Sequence, residues 1–332
     1  MVRIGLIGQN HLTGIGIQSG EFARNMGVEK VLVTDLSKLH ADNSRNAKRV
    51  TNKGWFNSFE RMTVDGVPDE RACKWLLDGI DVLYVIETPL NWEIFRWARE
   101  KGVKSCLAYN AEFFEYFNRP NIPKPDVFLA PTKWGIKGVS GFGKVVEIPV
   151  PTAADRIKRR DITQARKFVH ITGFKAHLDR NGTDIVKESM RSVGTSIEVK
   201  VFDQTKNEVE DYWDLYKEGD VLILPRRYGG LSLQLQEATM AGMPVIVTEH
   251  DPYAGEPSTV TIPGPYHHVR VNLRGSVDCY SASPQSLGQT ITELSKGSIK
   301  DLSDQAYEWA QARSWDALKP RYEELFEDLC SP

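Results

Sequence analysis

The stretch from Asp220 to Thr248, DVLILPRRYGGLSLQLQEATMAGMPVIVT, decides the fold. Val221–Leu224 is a short apolar run, as a strand buried on both faces of a sheet requires. Pro225, Arg226, Arg227, Tyr228 and the pair Gly229-Gly230 interrupt it. A helix carrying Glu237 follows, Gly242 closes it, and Val245–Thr248 is a second apolar run. Strand, glycine turn, helix and strand make a βαβ unit with its glycines at the C-terminal end of the first strand. Open α/β sheets bind ligands at that end. Backbone N–H groups there face whatever sits above the helix, and the helix dipole favours an anion. The segment therefore reads as a phosphate site, with a carboxylate one to two helical turns further on.

The rest of the chain alternates in the same way. Strands are predicted at Arg3–Ile7, Lys30–Thr34, Asp81–Ile86, Lys104–Ala108, Asp126–Ala130 and Lys144–Glu147. Between them lie helices at Ile15–Met26, Asp69–Leu77 and Asn91–Glu100, with a short one after Thr132. Pro149-Val150-Pro151 and the charged run Asp155 to Arg166 read as a domain linker. A second alternation follows, with further strands at Lys167–Thr172 and Glu198–Phe202 and one near Tyr280. Its helices are predicted at Asp184–Ser192, Val209–Tyr216, Leu233–Ala241 and Pro284–Ser295. The tail from Leu302 to Cys330 reads as helix with a break at Arg313-Ser314-Trp315. The expected architecture is α/β: two Rossmann-like, doubly wound domains facing a central cleft, which is the default ligand site. The domains are placed at 1–150, on the acceptor side, and 151–303, on the donor side. Helices over 304–332 return to the first domain.

Length and composition agree. A chain of 332 residues suits two domains. Hydrophobic content of 41% and charged content of 26% are those of a globular protein. A net charge of −2 gives no global attraction to nucleic acid or anionic membrane. Met1 leads straight into VRIGLIG, so no signal peptide is expected, and no apolar run reaches the roughly 20 residues of a membrane span. The four cysteines are scattered without a CxxC pair, as in a reducing cytoplasm, so the expected location is cytoplasmic.

At Leu215-Tyr216 and onward the residues resemble those of the GT-B-fold glycosyltransferases. Within that group they are similar to the large retaining family that uses nucleotide-diphosphate sugars (glycosyl transferases group 1). Asp220, Pro225, Tyr228, Gly230, Leu233, Glu237, Ala238, Gly242, Pro244 and Val245 fall in that family's register without a gap. Weaker resemblances lie in FVHITGFKAHLDRNGTDIV, carried by Gly173, Lys175, Arg180 and Gly182, and in the tail ARSWDALKPRYEELFEDL. HLTGIGIQSGEFARNM is similar to the family's glycine-rich loop after the first strand. One position departs. The family has two glutamates eight residues apart, and Gly229 stands where the first would be. The resemblance places that glutamate near the donor sugar, so the departure leaves the sugar open and the nucleotide side intact.

The resemblance implies transfer of a hexosyl or pentosyl group from a UDP- or GDP-sugar to a hydroxyl, with retention. The nucleotide sugar is then a co-substrate; no permanently bound cofactor and no metal is required. Such a transfer must stabilise the charge growing on the leaving diphosphate. Lys175 and Arg180 are the cations expected to do so, the alternative being two solvated loop charges. Glu237 is expected to accept hydrogen bonds from ribose hydroxyls, the alternative being an ordinary helix residue. Gly173, Arg226, Tyr228, Gly229, Gly230 and Leu231 are the expected donor-binding loop residues. Arg226 and Arg227 would otherwise each pair with an acid. In the first domain, Gly14 and Gly16 open a helix beside the donor or acceptor, and His11 sits on the same loop. Glu112, after the fourth strand, would position an acceptor hydroxyl or simply favour a helix N-terminus. His267-His268 cannot share a helix face, and no metal site is expected.

From Lys38 to Arg61, basic residues (Lys38, Arg45, Lys48, Arg49, Lys53, Arg61) are interleaved with Trp55, Phe56 and Phe59. Such a mixture either grips a nucleic acid or is a charged loop with its aromatics in the core. The chain is also similar to phage-encoded glycosyltransferases, which implies a hydroxymethylated DNA base or a virion protein as acceptor. Two rivals remain at this point. An NAD-dependent oxidoreductase would show the start GLIG and Asp35, but the loop GQNHLTGIG lacks GxGxxG. A non-catalytic protein that binds nucleotide sugar or glycan is favoured by Gly229.

Overall fold

Buried apolar runs of four or five residues build two separate parallel sheets. The computed structural model describes residues 2–11, 13–35, 54–111, 118–172, 179–203, 212–272 and 275–331, with side chains from 266 to 277 left aside. Gly173, Lys175, Glu112, Lys38, Arg45, Lys48, Arg49 and Lys53 lie outside the described residues. The chain divides into two compact units, Met1–Val150 with Leu318–Pro332, and Pro151–Ala317.

The first unit contains β1 (Ile4–Gly8), α1 (Gly14–Met26), β2 (Lys30–Asp35), β3 (Glu60–Asp65), α2 (Glu70–Leu76) and β4 (Val82–Ile86). It continues with α3 (Ile94–Glu100), β5 (Lys104–Ala108), β6 (Val127–Ala130), α4 (Ile136–Val139) and β7 (Lys144–Glu147). The strands pair in the order β3-β2-β1-β4-β5-β6-β7, parallel throughout. The order reverses between β1 and β4, whose residues are all buried. Strand β3 went unpredicted because ERMTVD is an edge strand with alternating exposure rather than an apolar run. Helix α2 starts where Asp69 accepts from the Ala72 N–H, and α1 stops at Gly27, whose φ of 61° suits a left-handed cap.

The second unit contains β8 (Lys167–Ile171), α5 (Thr183–Ser189), β9 (Glu198–Phe202), β10 (Val221–Leu224), α6 (Leu233–Met240), β11 (Val245–Thr248) and β12 (Thr259–Ile262). An antiparallel hairpin, β13 (Tyr266–Asn272) and β14 (Gly275–Tyr280), leads to α7 (Pro284–Leu294) and α8 (Lys300–Gln311). The parallel strands run β12-β11-β10-β8-β9, so the order reverses between β8 and β10. The predicted helix ending at Tyr216 is instead a 3-10 turn over Tyr212–Tyr216, while the strand expected near Tyr280 is present as β14, the second arm of the hairpin. The run from Asp155 to Arg166 is no free linker: Ile157, Ile162 and Ala165 are buried in the second core. Arg160 bonds the Gly219 carbonyl and pairs with Asp220.

The last helix, α9 (Trp315–Cys330), starts in the second unit and joins the first from Leu318 onward. Its Tyr322 and Phe326 meet Phe22 and Tyr84 edge-on, while those two rings stack at 3.8 Å. Contacts of this geometry contribute about 0.5–1.5 kcal/mol each beyond burial.

Candidate functional site

In the second sheet the reversal between β8 and β10 marks the place where the two strand ends diverge and leave room for a ligand. Strand β10 leads into Pro225–Ser232, and the return from β8 reaches Asp179–Gly182. These two loops are tied together. The Arg227 side chain donates to both: its Nη1 bonds the Asp179 carbonyl at 2.6 Å and its Nη2 the Asp184 carboxylate at 2.7 Å. Its backbone N–H meets the Arg180 carbonyl at 2.9 Å. Gly182, at φ 71°, lets the returning loop press on Pro225; a Cβ would stand 2.6 Å from the Pro225 oxygen. Beneath them the buried His170 bridges Ile223 O (2.8 Å) and Thr183 Oγ1 (3.0 Å). The carbonyl can only accept, so Nδ1 carries the proton.

Arg180 lies along the glycine loop. Its Nε donates to Tyr228 O at 3.2 Å, and its guanidinium carbon stands 5.2 Å from the centre of the Tyr228 ring. Gly229 has a φ of 122°, and any Cβ there would fall on Nη2 of Arg180 and within 2.8 Å of Cζ. Gly229 is thus the residue that makes room for the arginine. Where the resembled family carries an acid, this chain carries a space filled by a cation.

Arg226 pairs with an acid, one of the two readings the sequence leaves open for it. It is 4% exposed, and Nε and Nη2 meet the Asp251 carboxylate at 2.9 and 2.8 Å. Its Nη1 bonds Leu231 O at 2.7 Å. This buried pair fastens the loop to the turn after β11 and closes the stretch Arg226–Leu231 into a ring. Gly230 is buried within it. Ser232 then caps α6 by accepting from the Leu235 N–H at 3.2 Å.

Glu237, on the second turn of α6, is 2% exposed. Its Oε2 accepts from Tyr216 OH at 2.5 Å and Tyr212 OH at 2.7 Å. An ionised carboxylate accepts about four hydrogen bonds, so these two phenols occupy half its capacity and orient it. Burial, then the neighbouring Glu237 charge, raises the Tyr216 hydroxyl well above its usual range, so it remains a donor. Burial works to raise the Asp184 carboxyl, but the hydrogen bond and charge of Arg227 win, and it sits below the usual value.

In the first unit, the loop after β1 is folded on itself. His11 is buried, with Nδ1 2.8 Å from Thr13 Oγ1. A Cβ on Gly16 would land on the His11 carbonyl oxygen, which explains this glycine by close approach. Gly14 is exposed at the start of α1. Phe56 is fully buried and Trp55 packs on Gly20, so these two aromatics serve the core. Arg61 bonds Asn57 on the exposed side. Sequence reasoning missed Asp251 and Tyr212, because partners 25 residues apart leave no periodic signal. Among the described residues no group of three or more His, Cys, Asp or Glu side chains is placed to hold a metal.

Residues 150–256 match the family model Glycosyl transferases group 1. No curated protein matches the chain by sequence. Among solved structures it is similar to Anabaena HepE in complex with UDP and glucose, at 8% identity over 99% of this chain and 100% of that one, TM-score 0.65. Sucrose-phosphate synthase from Thermosynechococcus elongatus matches at 12% identity over 99% of both chains, TM-score 0.65. The N-terminal domain of Candida albicans trehalose-6-phosphate phosphatase matches at 10% identity over 99% and 97%, TM-score 0.61. The chain has the GT-B fold and carries a Glycosyl transferases group 1 domain around the Gly229 loop and Glu237, which makes it by class a glycosyltransferase.

Proposed function

We propose that the chain transfers a sugar from a UDP-sugar to a hydroxyl acceptor with retention. The observation that carries this reading is Arg180 held against Gly229 at the reversal point of the second sheet. A guanidinium there is positioned by Tyr228 and by its own loop before any ligand arrives. Such a preorganised cation stabilises charge that develops on a leaving diphosphate more than it stabilises the bound donor. Lys175, on the same loop, adds a second positive charge. The backbone N–H groups of Gly229–Leu231 approach the phosphates, a role the sequence also assigns to Gly173, and Glu237 takes the ribose hydroxyls in concert with Tyr212 and Tyr216. UDP is favoured over other nucleotides because Anabaena HepE is described with UDP, with UDP and glucose, and with UDP-glucose.

In the reaction the bond from the anomeric carbon to the diphosphate oxygen breaks, and a bond to the acceptor oxygen forms on the same face. The acceptor proton passes to the departing phosphate oxygen. The first unit holds the acceptor; His11, Gly14 and Gly16 are its proposed contacts, and Glu112 is the proposed residue that positions the acceptor hydroxyl.

The first sheet also has the strand order of dinucleotide-binding folds, so topology alone does not separate a transferase from an oxidoreductase. The family match in the second unit favours transfer. Incubation with UDP-sugars and hydroxyl acceptors, including hydroxymethylated DNA and virion protein, tests the proposal. Release of UDP, with NMR showing the donor's anomeric configuration kept in the product, is expected. An inverted product refutes retention; no UDP release with any pair refutes transfer.

A further inference from the structure

Glu87 directly follows β4 at the reversal point of the first sheet, in a backbone conformation that suits glycine. Its φ is 64°, and Leu90, three residues on, has a φ of 61°. Among the described residues these are the two non-glycine positions with positive φ. A side chain in this region is strained, and a glutamate has no local bonding habit that offsets the strain as asparagine or aspartate does. The strain is held in place from several sides. The Glu87 N–H bonds Ala108 O at 2.7 Å, the Thr88 N–H bonds Ile86 O at 2.8 Å, and Leu90 N–H bonds Thr88 Oγ1 at 3.2 Å. Strain maintained in this way at the ligand edge of a sheet points to use of the side chain.

Its surroundings say what kind of use. Strands β1, β4 and β5 are adjacent, and their C-terminal ends bring Gln9 and Asn10, Glu87, and Asn110 to one edge. Asn110 Nδ2 donates to Glu87 Oε2 at 3.2 Å, which fixes the carboxylate. The described residues that directly follow these strand ends, 9–11, 87–91 and 109–111, include no Lys or Arg; Arg119 and Lys124 come later in the loop after β5, shortly before β6 begins. A carboxylate among amides offers paired acceptors and donors to hydroxyls, and it repels phosphate. We infer that Glu87 and Asn110 form an acceptor-binding pair and that the acceptor is a neutral glycan, not a nucleic acid. This rests on the transferase reading above and supplies its acceptor class.

The test uses the full chain, Glu87→Gln and Glu87→Gly, an array of neutral oligosaccharides, hydroxymethylated DNA, and UDP. Wild type should bind neutral oligosaccharides, and Glu87→Gln should bind them about 10–100-fold more weakly, as loss of a charged hydrogen bond predicts. Glu87→Gly relieves the backbone and should melt about 2–4 °C higher while losing the glycans. Both variants should keep the wild-type melting response to UDP. Unchanged glycan affinity in the variants, a lower melting temperature for Glu87→Gly, or wild-type binding to hydroxymethylated DNA alone overturns the inference. So does an array on which wild type binds nothing. A wild type that also ignores UDP strikes the transferase reading itself, which separates the two failures.

Discussion

Replacing Gly229 with alanine should damage turnover by displacing Arg180. Alanine adds one carbon, and that carbon falls on Nη2 and within 2.8 Å of Cζ and 2.9 Å of Nε. Arg180 is long and can swing away, but it then loses its bond to Tyr228 O and its place over the Tyr228 ring. Those contacts contribute about 1 kcal/mol each. The alanine must also adopt φ 122°, a strain of about 1–3 kcal/mol. Melting should fall by several degrees, at roughly 2–4 °C per kcal/mol for a unit of this size. Turnover suffers separately. Removing a preorganised charge partner from a transition state costs about 10²–10³-fold in rate. Gly229→Ala and Arg180→Ala should therefore each lower kcat/KM with a UDP-sugar by about that factor. The double variant should be no slower than Arg180→Ala, because both changes remove the same group. The assay is UDP release by the four proteins, with melting curves recorded alongside. If the two rate losses multiply in the double variant, Gly229 does not act by seating Arg180 and the reasoning fails.

Other consequences follow from the same loops. Arg226→Ala leaves Asp251 buried and unpaired, so the second unit should lose about 3–5 kcal/mol, visible in urea denaturation; Arg226→Ala with Asp251→Ala should recover part of that loss. Asp184 has a folded value below its unfolded one, so its contribution is present above about pH 4 and disappears as pH falls through the lowered folded value. Asp184→Asn should accordingly flatten the acid limb of stability against pH, and equal limbs for variant and wild type would dismiss the Arg227 pairing as a stabilising contact.

The central strands were legible because they are unbroken apolar runs, and β10 and β11 begin and end where such runs do. What escaped were elements without that signal: the half-exposed edge strand β3, strand β12, and the hairpin arm Tyr266–Asn272. The site was legible in its loop and its helix, since glycines beside a buried strand carry a conformational meaning. Its internal wiring was not. That Arg226 faces Asp251, that two tyrosines hold Glu237, and that Gly229 exists for Arg180 depend on contacts across 21 to 49 positions of sequence. A neutral loop residue such as Gly229 looks alike whether it turns a chain or admits a neighbour, and only the position of Arg180 distinguishes the two. Glu87 gives no sign in sequence, since a glutamate after a strand is ordinary until its φ is known.

Calorimetric titration of the full chain with UDP, and with NAD as the competing ligand, tests the account most directly. The wild type should bind UDP and ignore NAD. Glu237→Ala should bind UDP about 10–100-fold more weakly, as loss of a charged hydrogen-bond acceptor predicts. Binding of NAD with no response to UDP, or an unchanged UDP affinity in Glu237→Ala, would contradict it.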